Sequence, residues 1–183
     1  PNFFDKIERI IKFFKTEIQQ YYSNIEIFNI FRSNKRVLLF LIKKSILTVD
    51  EYFVKTIVTH KYELKRYPQY FAPEIKPFMS ESWFYRYFLY EKIDEEIPEN
   101  FEINRQIGES EQPFLKMIRN DSVGEFDSYV KKQKLDLQSL IKLSIYETNS
   151  FLIWKNQYMN NSRGFISLIE YAAFFGSIEI IKY

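Results

Sequence analysis

The sequence predicts an all-α fold built from antiparallel helical hairpins, and three observations indicate it. Apolar residues recur at helical spacing through most of the chain. The 183 residues include only 4 Gly and 6 Pro, too few for a β architecture with many turns. Ser, Thr and Asn also stand directly before several of these periodic segments, where N-cap residues are expected.

The first helix is predicted over residues 3–22, where one face collects apolar side chains: Phe4, Ile7, Ile10, Ile11, Phe14 and Ile18. Ser23 or Asn24 is expected to cap the next helix. Asn34 divides the segment that follows, because Asn tolerates the left-handed conformation of a tight turn between helices. We therefore expect a hairpin of helices over 25–32 and 35–44.

The next helix is predicted over about 49–66, since Thr48 and Glu51 have the spacing of a capping box. Three prolines then interrupt the periodic pattern at positions 68, 73 and 77. A further helix is expected over about 82–96. The stretch 91–111 carries eight acidic and two basic residues, and we expect its middle to be an exposed connection. The predicted regions are a helical N-terminal region, 1–100, and a second region, 101–183.

The second region is predicted to hold two helical hairpins. The first spans 111–133 and turns at Asn120-Asp121, and the second spans 167–183 and turns at Gly176. The polar stretch 155–164 lies between them and is predicted to be an exposed loop.

The last hairpin carries the most specific local signals. Ser167 and Glu170 form a capping box, so its first helix is expected to start at Leu168. The adjacent small residues Ala172 and Ala173 allow neighbouring helices to approach closely, and Gly176 adopts positive φ at little cost. Three side chains are expected to pack the second helix: Ile178, Ile180 and Ile181. Such a hairpin cannot cover its apolar sides alone and must stack on neighbours.

This hairpin resembles an ankyrin repeat, whose pattern begins T-P-L-H-x-A-A and continues through a Gly to an I-V-x-x-L helix. The matching residues are Ser167, Ile169, Ala172, Ala173, Gly176, Ile180 and Ile181. Leu168 replaces the Pro of the pattern and Glu170 replaces its His. The usual Thr–His hydrogen bond is therefore lost, and we expect the capping box to replace it.

From about residue 25 onward, the chain resembles a large trichomonad-type protist family of ankyrin-repeat proteins of unknown function. The similar segments include "FRSNKRVLLFLI", "IRNDSV", "SIYETNSFLI" and the last hairpin. The resemblance implies an ankyrin-like solenoid whose last repeat is truncated at Tyr183. Gly176 follows Asp121 by 55 residues, against a repeat of about 33, so roughly 20 residues are predicted to be inserted between the hairpins.

No catalytic, cofactor or metal motif is recognisable. His60 is the only histidine and lies in a predicted helix, where a surface or packing role is favoured over acid–base chemistry. Without Cys, one His cannot complete a usual zinc site. The four glycines are too scattered for a phosphate-binding loop. The adjacent carboxylates of 94–96 point apart on a helix and are expected to be solvated. We expect no enzyme activity, no cofactor and no small-molecule substrate.

Two segments are candidates for binding. Arg32, Lys35 and Arg36 lie around the first hairpin turn, and residues 27–49 contain no acidic residue. These three side chains either contact an anionic partner or form a solvated turn. The second candidate has ten aromatic residues within 67–90, among them Trp83, Tyr85 and Tyr87, which either anchor an interface or pack a proline-punctuated connection onto the helices.

The leading hypothesis is a non-catalytic protein–protein interaction module with an unidentified protein partner. The alternative is an electrostatic binder of nucleic acid or anionic membrane through the basic turn. Neither nucleic acid nor a membrane is favoured as a partner, and the net charge of +2 is too small to indicate a nucleic-acid binder. An undercovered last hairpin predicts self-association through Phe174, Phe175 and Tyr183. Since no secretory signal or membrane-spanning run is recognisable, an intracellular, cytoplasmic location is expected.

Overall fold

A computed structural model of the protein describes residues 3–59, 64, 66–78, 99–149, 152 and 165–183. The chain divides into two compact units, Pro1–Glu99 and Asn100–Tyr183. The predicted all-α class is confirmed in its coarse form, because most described residues are helical. A two-stranded sheet in the second unit was not predicted.

In the first unit, the described residues form five helices followed by three short helical turns. They are α1 (Phe3–Phe13), α2 (Lys15–Tyr21), α3 (Asn24–Phe31), α4 (Lys35–Lys43), α5 (Glu51–Thr59), α6 (Tyr67–Tyr70), α7 (Ala72–Ile75) and a 3-10 turn (Lys76–Phe78). Its core is built mainly from α3, α4 and α5, with aromatic rings from α6 and the residue after it. Side chains at its centre include Phe28, Leu38, Leu41, Phe53, Ile57, Tyr70 and Phe71.

The single helix predicted over 3–22 is interrupted at Phe14. This residue has φ −94° and ψ 18°, outside the α-helical region, so α1 ends at Phe13 and α2 begins at Lys15. Backbone hydrogen bonds from Phe14 to Ile10 and from Ile18 to Phe14 bridge the interruption. The inner side of both helices still packs on the core, through Phe4, Ile7, Ile11 and Ile18.

Ser23 is the N-cap of α3, which decides between the two predicted candidates. Its hydroxyl accepts a hydrogen bond from the Glu26 N–H, and its own N–H donates to the Glu26 carboxylate at 2.8 Å. Asn24 instead joins α3 to the segment before α5. Its side chain accepts from the Thr48 N–H at 2.8 Å and donates to the Thr48 carbonyl at 2.9 Å.

The predicted left-handed turn at Asn34 is wrong. Asn34 has φ −129° and acts as the N-cap of α4, because its side-chain oxygen accepts from the N–H groups of Arg36 and Val37, each at 3.1 Å. The hairpin of α3 and α4 itself forms close to the predicted bounds.

The predicted capping box of Thr48 and Glu51 is also wrong. Asp50 is the residue that caps α5, since its carboxylate accepts from the Phe53 N–H at 2.8 Å. Both hydrogen-bonding groups of the Thr48 backbone are engaged by Asn24. The helix is described to Thr59, and the last part of the predicted 49–66 helix lies largely outside the described residues, as does the predicted helix over 82–96.

The second unit contains α8 (Phe101–Ile107), α9 (Pro113–Arg119), α10 (Val123–Gln133), β1 (Leu140–Lys142), β2 (Phe165–Ser167), α11 (Leu168–Phe175) and α12 (Ile178–Lys182). The two strands are antiparallel, with Ile141 opposite Ile166. The core lies between the helices and the inner side of the strand pair. Its fully buried members include Leu115, Ile118, Phe126, Leu168, Tyr171, Ala172 and Ile180.

Both predicted hairpin turns are present. Asp121 has φ 52° and joins α9 to α10, and Gly176 has φ 68° and joins α11 to α12. The capping box of Ser167 and Glu170 is confirmed, and α11 starts at Leu168 as predicted. The predicted loop over 155–164 lies outside the described residues.

The acidic stretch 91–111 is not exposed throughout its described part. Residues 101–107 form α8, in which Phe101 and Arg105 are buried. The Phe101 ring packs edge-on against Tyr146, with centroids 5.7 Å apart, and the Arg105 guanidinium lies 5.0 Å from the Phe101 ring. The acidic composition of the stretch concealed these two packing residues.

Candidate protein-binding surface

The two hairpins of the second unit stack on each other. Helix α9 packs against its own partner α10 and against α11, while α10 also packs against α12. The first helix of one hairpin thus contacts the first helix of the next, and the second helix contacts the second. This arrangement buries one apolar side of each hairpin against the other hairpin.

The turns of the two hairpins are joined by side-chain hydrogen bonds. The Ser177 hydroxyl donates to the Ile118 carbonyl at 2.6 Å, in a buried environment. The Asp121 carboxylate accepts from the N–H groups of Glu179 and Ile180 at 3.1 and 3.0 Å. A residue in the first turn therefore caps the second helix of the next hairpin. Sequence reasoning missed this role, for which the only signal was an Asp at the first turn.

Arg119 ties α9 to α11 and to the segment before α9. Its guanidinium lies 3.1 Å from the Glu109 carboxylate and donates to the Tyr171 hydroxyl at 2.7 Å and to the Ser110 carbonyl at 2.9 Å. Burial raises the pKa of the Tyr171 hydroxyl, which accepts this hydrogen bond in its neutral form. These contacts of Arg119 stabilise the packing of α9 on α11.

A second polar cluster fastens the segment after β1 to the turn after α8. Glu147 is buried and accepts from the Ser110 hydroxyl at 3.3 Å. The Thr148 hydroxyl and N–H both donate to the Gly108 carbonyl, at 2.7 and 3.1 Å. Since buried polar groups that are satisfied in this way fix a conformation, we interpret the cluster as structural support.

The strand pair presents its solvent side next to the start of α11. Leu140 and Lys142 are exposed while Ile141 between them is buried, and Phe165 lies opposite Lys142. We call Leu140, Lys142 and Phe165 the strand-pair face. Leu140 has 65% of its surface exposed. The segment directly before this strand is held against the start of α11 by two backbone hydrogen bonds. The N–H groups of Ile169 and Leu168 donate to the carbonyls of residues 137 and 139, at 2.8 and 3.1 Å.

The last hairpin is only partly packed as predicted. Ala172 is buried but Ala173 is exposed, so only the first of the two small residues permits a close helix contact. Ile180 is buried, whereas Ile178 and Ile181 are exposed. The prediction that all three isoleucines pack is therefore wrong. The reason is that the first hairpin covers only one side of α12.

The basic turn of the first unit does not project all three predicted side chains outward. Lys35 has 1% of its surface exposed, and its ammonium lies 4.9 Å from the Tyr70 ring centroid. The cap at Asn34 makes Lys35 the first residue of α4, on the side that faces the core. Arg32 and Arg36 are half-buried, and the Arg36 guanidinium lies 3.7 Å from the Phe4 ring.

The remaining predicted site residues lie outside the described residues: Trp83, Tyr85, Tyr87 and His60. In the described part of the aromatic segment, Tyr67, Tyr70 and Phe71 are buried, so the packing role applies to those three. The Tyr67 hydroxyl donates to the Arg32 carbonyl at 2.6 Å, and burial raises the pKa of this tyrosine.

Two kinds of feature are absent from the described residues. No group of three or more His, Asp or Glu side chains is placed there to hold a metal ion. No helix in the same part of the chain has both the length and the apolar content needed to cross a membrane.

Comparison of the chain with protein-family models, with curated proteins and with solved structures finds no match. The ankyrin resemblance therefore stays a prediction that depends on the residues of the last hairpin and on the similar upstream segments.

Proposed function

We propose that this protein is a non-catalytic protein-interaction module in which the second unit is a stacked pair of ankyrin-type helical hairpins. The observation that carries the proposal is the stacking of α11 and α12 on α9 and α10, fixed by Asp121 and Ser177. Stacked hairpins of this kind form extended surfaces on which contacts to a partner protein accumulate.

Further features of the second unit support an ankyrin-type interpretation. The Ser167 capping box stands where the repeat pattern has its Thr–His hydrogen bond. The antiparallel pairing of Lys142 with Phe165 brackets residues 143–164, a segment of about the length of the insertion predicted between the two hairpins. The irregular spacing of the two hairpins is thus compatible with a repeat that has been lengthened at one connection.

The strand-pair face is the part of the module that we assign to partner binding. It combines an exposed apolar side chain, Leu140, with the half-buried Phe165 ring, on a strand pair that the helices hold in place. Because hydrogen bonds already hold the backbone of this strand pair, binding at this face would order little additional backbone.

Affinity capture with the tagged full chain tests this assignment. We expect a reproducible set of proteins to be retained by the wild type and lost with Leu140→Gln. Ile103→Gln is the matched control, because Ile103 on α8 is similarly exposed, at 59%. If the wild type retains nothing beyond the untagged control, or if Leu140→Gln retains the same set, the proposal is wrong.

We also propose that the uncovered side of the last hairpin supports self-association. Ile178, Ile181 and Tyr183 are exposed there, and Phe174 and Phe175 are half-buried. Sedimentation velocity of the purified chain is expected to show a concentration-dependent dimer that Ile178→Gln with Ile181→Gln removes. A monomer at all concentrations would contradict this expectation.

A further inference from the structure

The first unit carries a second apolar surface that its core does not use. Helix α1 packs inward through Phe4, Ile7 and Ile11. On the opposite side, Ile10 and Phe13 expose 58% and 78% of their surfaces. An amphipathic helix of a globular protein usually shows one apolar face, so apolar residues on the solvent side require an explanation.

Basic side chains surround these apolar residues. Lys6 lies four residues before Ile10, and Arg9 lies four residues before Phe13, so each is a neighbour on the helix surface. Lys12 is exposed too, directly before Phe13 in the sequence. We call Lys6, Arg9, Ile10, Lys12 and Phe13 the outer face of α1.

The apolar surface continues past the helix interruption. Phe14 is exposed and stacks edge-on against Phe13, with ring centroids 5.0 Å apart. Tyr21 and Tyr22 are exposed at the end of α2. Three basic residues are exposed on these two helices, Lys6, Arg9 and Lys12, against two acidic ones, Asp5 and Glu17. Glu8 and Lys15 are half-buried, and Lys15 donates to the Lys44 carbonyl at 2.7 Å.

We propose that the outer face of α1 docks on an anionic phospholipid bilayer, with the helix lying in the plane of the membrane surface. Apolar and aromatic side chains flanked by Lys and Arg are the features that hold an interfacial helix. Tyrosines at one end suit the boundary between headgroups and acyl chains. Lysine, by contrast, is depleted at the core of protein–protein interfaces, so this composition favours lipid over a protein partner.

Co-sedimentation of the full chain with lipid vesicles tests the proposal. Vesicles of phosphatidylcholine with about one third phosphatidylserine are compared with vesicles of phosphatidylcholine alone. We expect the wild type to bind the anionic vesicles, and to be released as the salt concentration rises. Ile10→Gln with Phe13→Gln is expected to lower the partition coefficient about tenfold, because both side chains would lose their insertion into the bilayer.

Two further variants test the contribution of the basic residues to vesicle binding and the effect of a substitution outside the outer face of α1. Replacing Lys6, Arg9 and Lys12 by Gln is expected to remove the preference for anionic vesicles. Leu140→Gln is the matched control, since it is expected to abolish capture of the protein partner and leave vesicle binding unchanged. Circular dichroism and the melting temperature of each variant should match the wild type, because the substituted residues are exposed.

Several results would overturn the proposal. These are failure of the wild type to bind anionic vesicles, equal binding by the Ile10→Gln, Phe13→Gln variant, and equal loss with Leu140→Gln. Binding of an oligonucleotide in place of the vesicles would assign the basic residues to nucleic acid. A wild-type dimer that the Ile10→Gln, Phe13→Gln variant dissociates, without vesicle binding, would assign the face to a second copy of the chain.

Discussion

The Ser177 hydroxyl and the Ile118 carbonyl form a buried 2.6 Å hydrogen bond that joins the two hairpins of the second unit. The carbonyl belongs to the end of α9 and also accepts from the Asp121 N–H at 2.9 Å. One backbone oxygen thus serves the turn of its own hairpin and the start of the next. The contact fixes how the two hairpins are aligned in the stack, next to the turn of each hairpin.

Ser177→Ala is expected to destabilise the second unit by about 1 kcal/mol, because a buried hydrogen bond is lost while the Ile118 carbonyl keeps its other donor. Urea unfolding of the full chain measures the change. Ser128→Ala is the matched control, since the Ser128 hydroxyl bonds to the Gly124 carbonyl at an exposed site. If both substitutions have the same effect, the contact does not fix the stack.

Asp121→Ala is expected to cost about 1–2 kcal/mol, since it removes the acceptor that caps α12. Asp121→Asn should cost less, because Asn keeps one of the two acceptor oxygens and tolerates the positive φ of 52°. Amide hydrogen exchange at Glu179 and Ile180 provides a local readout and should accelerate in Asp121→Ala. Unchanged exchange at these two amides would show that the carboxylate does not cap the helix.

Gly176→Val is expected to cost more than about 1 kcal/mol, because a β-branched residue resists the left-handed conformation. A Cβ at Gly176 would have no atom within 4 Å, so the cost arises from the backbone at φ 68° and not from a clash. Gly124→Ala is the matched control. Gly124 also has open space and lies in α10, so we expect this change to stabilise by up to about 1 kcal/mol. A neutral Gly176→Val would argue against the turn.

The Ser23 capping box predicts a measurable lowering of the pKa of the Glu26 carboxyl group. Hydrogen bonds from the Ser23 N–H and hydroxyl hold the pKa of Glu26 below its usual value of 4.5. Since the folded-state pKa is lowered, the stabilisation is present above the unfolded pKa and is lost as the pH falls through the folded value. Carbon-detected NMR titration should show the pKa of Glu26 rising part of the way in Ser23→Ala, because the hydroxyl is lost while the backbone N–H remains. An unchanged value would contradict the box.

The residues predicted correctly in the last hairpin act locally. Ser167 and Glu170 are three positions apart, and Gly176 needs only its own φ, so a short stretch of sequence contains the whole signal. Lys35 shows the opposite case. Its charge predicts solvent exposure, but its burial depends on the cap at Asn34 and on the distant Tyr70 ring.

Contacts between distant positions account for the other missed features. Asp121 caps a helix that begins 57 residues later, and no local pattern indicates that pairing. The strands β1 and β2 are three residues each and lie on either side of a long connection, so neither shows an alternation long enough to recognise. Asp50 and Thr48 are both suitable caps for α5, and Asn24 from another helix decides between them.

The most direct test of the stacked hairpins is an NMR measurement of contacts across the two turns. In the isotope-labelled full chain, the amide protons of Glu179 and Ile180 should show nuclear Overhauser effects to the β-protons of Asp121, and both amides should exchange slowly. Absence of these contacts, together with sequential amide contacts of one continuous helix through Gly176, would contradict the stacked arrangement and the interaction module built on it.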